Sequence, residues 1–231
     1  MRRHVPADAM LEGVTITCGA LLLAGGRGSR MGGIRKPLLV VGDRSLLAHA
    51  LRAASGCDPL TIVGDVGDVG DGLGDRDGDG DGGDNGPSGT DRIREDPPYG
   101  GPVAGIVAGL SAWASRRAAP EWTLVLACDL PGARAAAARL RSAIPELSAA
   151  VDGVCLADAS GRRQWLTGVY RTAALTERAR SLPDAGRHAA VRALLDGLAV
   201  EALRAPAVET ADIDTWEDLE VARRAMRSEE T

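Results

Sequence analysis

Leu21-Leu22-Leu23-Ala24-Gly25-Gly26-Arg27-Gly28-Ser29-Arg30-Met31-Gly32-Gly33-Ile34-Arg35-Lys36 decides the fold. A short apolar run passes straight into glycines, with arginines and a lysine behind them. Such a run reads as a buried strand of a parallel sheet. The glycines allow the backbone to approach a bound group closely. Successive N–H groups then face an anion, to which Arg30 and Lys36 add positive charge. This is a way to hold a nucleoside triphosphate. It is not the P-loop G-x-x-x-x-G-K-[ST], because Gly33 is followed by Ile34 and Lys36 by Pro37. Nor is it the dinucleotide fingerprint, since Met31 stands where the third glycine after Gly26 and Gly28 belongs.

Downstream segments supply the setting for such a loop. Gly101-Pro102-Val103-Ala104-Gly105-Ile106-Val107-Ala108-Gly109-Leu110 predicts a helix entered through Pro102, whose missing N–H costs nothing at the first turn. Val103, Ile106, Val107 and Leu110 share one face, and Gly105 and Gly109 allow close packing on a sheet. Trp122-Thr123-Leu124-Val125-Leu126-Ala127-Cys128-Asp129-Leu130-Pro131 predicts a strand buried on both faces that ends on Asp129. Ligands of open α/β sheets sit beyond the carboxyl ends of the strands. Asp129 is therefore placed to bind a metal, the alternative being a simple helix cap. Magnesium needs only one or two carboxylates besides substrate phosphates. Gly161–Arg171 predicts a hairpin leading into an alternating strand, its arginines either meeting a second substrate or merely solvated. Near the end of the chain, Asp214 predicts a helix cap with Glu217 as capping-box partner, and Trp216, Leu219, Ala222 and Met226 a buried stripe.

The spacing Gly25-Gly26, Arg30-Met31-Gly32, Lys36 resembles the signature of nucleotidyltransferases, most closely that of the molybdenum cofactor guanylyltransferase family. Related cytidylyltransferases usually carry alanine where Gly25 stands, which favours guanine. Gly101–Gly105 resembles the family's second motif, near the nucleotide base. Asp96 resembles its nucleotide-binding aspartate, or else opens a proline turn with Pro97. Asp129-Leu130-Pro131 resembles its magnesium-binding Asp-x-Pro. Ala211–Glu220 resembles Asn-x-Asn-Thr-Pro-Glu-Asp-Leu, with Asp212 and Asp214 in place of the asparagines and Trp216 in place of proline. Two carboxylates there are unhelpful to an anionic pterin phosphate, so the departure bears on the second substrate.

The resemblance runs from Ala20 to about Ala225. It implies a three-layer Rossmann-like α/β fold, a mostly parallel sheet with helices on both faces. It also implies Mg²⁺-dependent transfer of GMP from GTP to a phosphorylated, molybdopterin-type acceptor, releasing pyrophosphate. Leu23, Ala24, Gly25, Gly26, Gly28, Lys36, Asp96 and Asp129 would bind nucleotide. Arg30, Lys36 and Asp129 would be catalytic, with Asp129 holding Mg²⁺. A phosphate nucleophile is already ionised at neutral pH, so no general base is required. Two rival readings stand. One is cytidylyl or other nucleotidyl transfer to the same cofactor or to a sugar or alcohol phosphate; the other is a non-catalytic nucleotide-binding adaptor in cofactor delivery. Transient contact with molybdoenzyme maturation proteins is a further implication.

At 231 residues and 45% hydrophobic composition the chain is long and apolar enough for one large α/β domain, although phenylalanine is missing. Residues 1–17 read as an N-terminal extension and 18–231 as the domain. Residues 65–91 interrupt the domain with glycine and aspartate. That segment holds nine Asp and one Arg, so it carries −8 in a chain of net −5 and leaves the remainder at +3. A mildly basic body suits polyphosphate substrates. Asp75-x-Asp77-x-Asp79-Gly80 begins like a calcium loop, but Gly86 stands where the bidentate glutamate belongs, and a disordered solvated segment is expected. Cys18, Cys57, Cys128 and Cys155 form no C-x-x-C pair and read as reduced, mostly buried thiols. His4, His49 and His188 read as surface or packing residues. The apolar run after the N-terminal segment is too short for a signal peptide or membrane span, which favours the cytoplasm. No basic cluster with interleaved aromatics points to nucleic acid. A monomer or weak homo-oligomer is expected.

Overall fold

The computed structural model describes residues 16–25, 31–66, 90–116 and 119–229. Nine strands are described: β1 (Cys18–Leu23), β2 (Val40–Val41), β3 (Arg44–Ser45), β4 (Leu60–Val63), β5 (Thr90–Ile93), β6 (Trp122–Ala127), β7 (Gly153–Ala157), β8 (Arg163–Arg171) and β9 (Val200–Arg204). The helices are α1 (Leu46–Ala53), α2 (Pro102–Ser115), α3 (Ala133–Ala143), α4 (Thr172–Ser181), α5 (Val191–Leu195), α6 (Ala207–Thr210) and α7 (Trp216–Glu229). Seven strands form one sheet in the order β5-β4-β1-β6-β8-β7-β9, and β2 and β3 make a separate two-stranded ribbon. All neighbours in the large sheet pair in parallel except β8, which runs antiparallel to both β6 and β7. The expected mostly parallel α/β sheet is thus the observed one.

The apolar strands predict burial on both faces, and two cores separated by the sheet provide it. On one face Ala20, Leu22, Leu124 and Leu126 pack with Leu47 and Leu51 of α1 and Ala136 and Leu140 of α3. On the other Leu21, Leu23 and Val125 pack with Val103, Ile106, Leu110 and Trp113 of α2 and with Leu175 and Leu194. Glycine lets α2 come this close: a Cβ on Gly109 would stand 2.5 Å from Leu21 Cδ2, and one on Gly105 3.0 Å from Val63. Across the same interface Trp113 donates from Nε1 to the hydroxyl of buried Thr61 at 2.8 Å. A buried indole N–H without such an acceptor is costly.

Two boundaries differ from the sequence reading. Thr90 and Asp91, the last residues of the Gly/Asp-rich segment, belong to β5 because they pair with Leu60 and Thr61 of β4. Residues 67–89, including the calcium-loop-like run, lie outside the described residues. At α7 the cap is Thr215, not Asp214. Asp218 accepts from the Thr215 N–H at 2.7 Å and the Thr215 hydroxyl at 2.7 Å, and its own N–H donates back to that hydroxyl at 3.2 Å. The Thr215 hydroxyl and amide hold the Asp218 carboxyl below the usual carboxylate range. Asp214 is drawn away by an ion pair with Lys36. Trp216 is 52% exposed at the first turn, so the buried stripe is carried by Leu219, with Ala222 and Met226 packed beside it.

Candidate active site

The strand order lines up the carboxyl ends of β6, β1, β4 and β5, and a cleft of about 880 Å³ lies over them. Its lining includes Leu23 and Gly25 after β1, Gly64 and Asp65 after β4, Arg94 and Glu95 after β5, Asp129 after β6, and Gly101, Pro102 and Gly105 at the start of α2. The floor between β1 and β4 is bare backbone. Gly64 has φ +120°, and a Cβ there would lie 2.5 Å from the Gly25 nitrogen. Any side chain would lift this floor toward the space a ligand needs.

At the β6 end the chain builds a cluster of charge. Asp129, Asp212 and Asp214 bring carboxylate oxygens within 4.8 Å of one another. Backbone fixes the approach: the Ile213 N–H donates to the Asp129 carbonyl at 3.0 Å. Ile213 itself is buried against Met31, Val41, Leu46 and Leu219. An apolar residue between two aspartates thereby anchors the segment and leaves the aspartates at the cleft. Burial, and after it the neighbouring Asp212, push the Asp129 carboxyl up to about 6, Asp214 adding to this and Lys36 opposing it. Lys36 sits beside the group in its ion pair with Asp214. Among the described residues, three carboxylates against one ammonium leave this end of the cleft negative. Oxygen donors alone, clustered and partly desolvated, fit a hard divalent cation such as Mg²⁺ or Mn²⁺.

The predicted site residues fall into three groups. Leu23, Gly25, Lys36 and Asp129 come together at the cleft or its metal end. Ala24 is 3% exposed and packs in the core beneath, with its N–H donating to the Val63 carbonyl. Asp96 is exposed on the turn whose Glu95, Pro98 and Tyr99 form the cleft wall. Gly26, Gly28 and Arg30 lie outside the described residues.

A family model described as "MobA-like NTP transferase domain" matches residues 20–201. The chain belongs to this family. Molybdenum cofactor guanylyltransferases are similar to it: that of Bradyrhizobium sp. (strain ORS 278) is 36% identical over 124 residues, 53% of this chain and 52% of that protein. The Pseudomonas fluorescens (strain SBW25) protein of the same name is 35% identical over 127 residues, 52% of each chain. The chain thus spans about half the length of these relatives. Among solved structures, molybdopterin-guanine dinucleotide biosynthesis protein A from Archaeoglobus fulgidus superposes with a TM-score of 0.61 at 17% identity, covering 91% of this chain and 99% of that one. The 2-C-methyl-D-erythritol 4-phosphate cytidylyltransferase of Thermus thermophilus gives 0.55 at 19% identity, covering 90% and 98%. These two likenesses show the fold.

In this MobA-like domain three features of the site escaped the sequence reading. Asp212 and Asp214, whose departure from asparagine bears on the second substrate, also stand against Asp129. The signal was present as alternation, Asp-Ile-Asp with one apolar residue pointing inward. His188, expected on the surface or in packing, lines the cleft. Its backbone is left-handed (φ +56°), and its N–H donates to the Gly100 carbonyl at 2.6 Å, which ties this turn to the entry of α2. Asp65 and Arg94 form an ion pair at the β4–β5 end. Among the described residues no helix is long and apolar enough to cross a membrane.

Proposed function

We propose that this chain is a divalent-cation-dependent guanylyltransferase that moves GMP from GTP to the phosphate of a molybdopterin-type cofactor, releasing pyrophosphate. One observation carries the reading: the Asp129–Asp212–Asp214 cluster stands beside Lys36 at the end of a backbone-floored cleft. A polyphosphate cannot rest against three carboxylates unless a cation lies between them. Mg²⁺ held by Asp129, Asp212 and Asp214 would neutralise charge on the phosphate oxygens. The names of the similar guanylyltransferases support the choice of substrates.

The chain's own residues divide the remaining work. Lys36 exchanges Asp214 for phosphate oxygens beside Gly25, and Gly26, Gly28 and Arg30 are assigned to the same triphosphate by the sequence motif alone. Gly64 and Gly25 keep the floor flat under the nucleoside. Leu23 and Leu166 wall the cleft, as does the Gly101–Pro102 turn, which is assigned to the side of the base. The acceptor phosphate is an anion before the reaction begins, so positioning and charge compensation account for the catalysis. The Asp96 carboxylate, on the turn that walls the cleft, is assigned to the nucleotide by its resemblance to the family's aspartate. The reaction is assigned to the cytoplasm, in transient contact with proteins that mature molybdoenzymes.

A thermal-shift panel of GTP, CTP, ATP, UTP and dTTP, each with and without Mg²⁺, tests the reading. A ligand at about 100 times its Kd adds about 2.7 kcal/mol, enough to move the midpoint by several degrees. A shift specific to GTP with Mg²⁺ is expected. A preference for CTP would move the assignment to cytidylyl transfer, and no shift with any nucleotide would refute it.

A further inference from the structure

The order of the strands also orients the nucleotide. With Asp129 after β6 and Asp212, Asp214 and Lys36 gathered beside it, and Gly25 after β1, a triphosphate would occupy the β6–β1 end of the cleft. The base would then extend over β4 toward β5, the next strands in the sheet. There the first side chains after the bare Gly64 floor are Asp65 and, from the neighbouring strand end, Arg94; they form an ion pair, and both line the cleft. Their side chains are 36% and 49% exposed, so each keeps surface for a ligand.

Guanine presents two donors, N2–H₂ and N1–H, followed along the same edge by two acceptors, O6 and N7. A carboxylate matches the donor half and a guanidinium the acceptor half. We infer that the Asp65–Arg94 pair reads the guanine edge, Asp65 accepting from N1–H and N2–H₂ and Arg94 donating to O6 and N7. The inference rests on the nucleotide site proposed above and assigns its specificity. Adenine offers an acceptor at N1 and a donor at N6, so it meets both side chains with the wrong sign. Cytosine lacks a donor at its ring N3 and opposes Asp65 in the same way. Because Arg94 already neutralises Asp65, the carboxylate adds little repulsion to an incoming polyphosphate. An ion pair that served only the surface would leave nucleotide choice untouched.

The test is the Kd of GTP, ITP, XTP and ATP with the full chain and Mg²⁺, for the native protein, Asp65→Asn and Asp65→Ala. The native protein should prefer GTP to ITP, which lacks the N2 amino group, and to ATP, each by roughly tenfold or more. Asp65→Asn replaces one acceptor with a donor, so it should weaken GTP by roughly tenfold and strengthen XTP, whose C2 carbonyl accepts from the new amide. The GTP-to-XTP preference should therefore invert. Asp65→Ala should bind GTP and ITP about equally. Thermal midpoints of the unliganded variants should lie close to that of the native protein, because the pair is largely open to solvent. If the native protein selects GTP and Asp65→Asn keeps the same GTP-to-XTP ratio, this assignment fails while the proposed function stands. If the native protein binds none of the nucleotides, both fail.

Discussion

Replacing Asp129 by asparagine should make the cation-free protein more stable while removing its response to divalent cations. The Asp129 carboxyl titrates at about 6 in the folded chain, against an ordinary value of 3.8, because burial and Asp212 disfavour its charge. Between those two values the native state holds a proton that the unfolded state has released. Stability therefore falls as pH rises across this window, and the full penalty is present above it. At 1.36 kcal/mol per pH unit the displacement amounts to about 3 kcal/mol. Asparagine keeps the shape and carries no charge, so Asp129→Asn should recover that amount near neutral pH. For a chain of this size each kcal/mol moves the midpoint by about 2–4 °C, giving a gain of about 6–12 °C. Calorimetry in EDTA, at about pH 7.5 and again at about pH 3, measures it, the gain vanishing at the lower pH where both states are protonated. Excess Mg²⁺ should then stabilise the native protein and leave the variant unmoved. An equal gain at both pH values, or none at the higher one, would show that burial does not raise the Asp129 carboxyl.

Lys36→Ala should lower turnover by about 10²–10³, the usual effect of losing one preorganised charge donor; a loss below tenfold in steady-state rates would remove Lys36 from the chemistry. Gly64→Ala forces a Cβ to 2.5 Å from the Gly25 nitrogen at a φ of +120°. It should cost about 1–3 kcal/mol in urea unfolding and weaken GTP binding in titration calorimetry, whereas unaltered affinity would contradict the bare floor. Thr215→Ala removes the cap of α7 and should cost about 1 kcal/mol in the same unfolding assay, with Glu217→Ala costing far less.

The fold was legible in the sequence wherever local chemistry and global packing agree. The apolar run at Leu21–Leu23, the Pro102 entry of α2 and the glycines at Gly105 and Gly109 each specify their structure by themselves. Asp129 was legible because a strand end in an α/β sheet is a place, not only a residue. Its partners were not, since Asp212 and Asp214 lie far along the chain. They reach Asp129 through the Ile213 anchor and a backbone hydrogen bond, and no short-range pattern records such a contact. The α7 cap shows the same limit at one-residue scale. Asp214 and Thr215 are both good caps, and the choice falls to Thr215 because Lys36 engages Asp214. His188 faces the cleft through a left-handed backbone that its sequence, Gly-Arg-His-Ala, does not announce. The Asp65–Arg94 pair likewise depends on β4 and β5 being neighbours across an intervening segment.

Whether this cleft transfers a guanylyl group is measured by incubating the full chain with α-labelled GTP, Mg²⁺ and a molybdopterin-type phosphate acceptor and following pyrophosphate and labelled acceptor together. Both should form in equal amounts, only when the acceptor is present, and Asp129→Asn should abolish both. GTP bound under the same conditions with neither product formed would rule out guanylyl transfer.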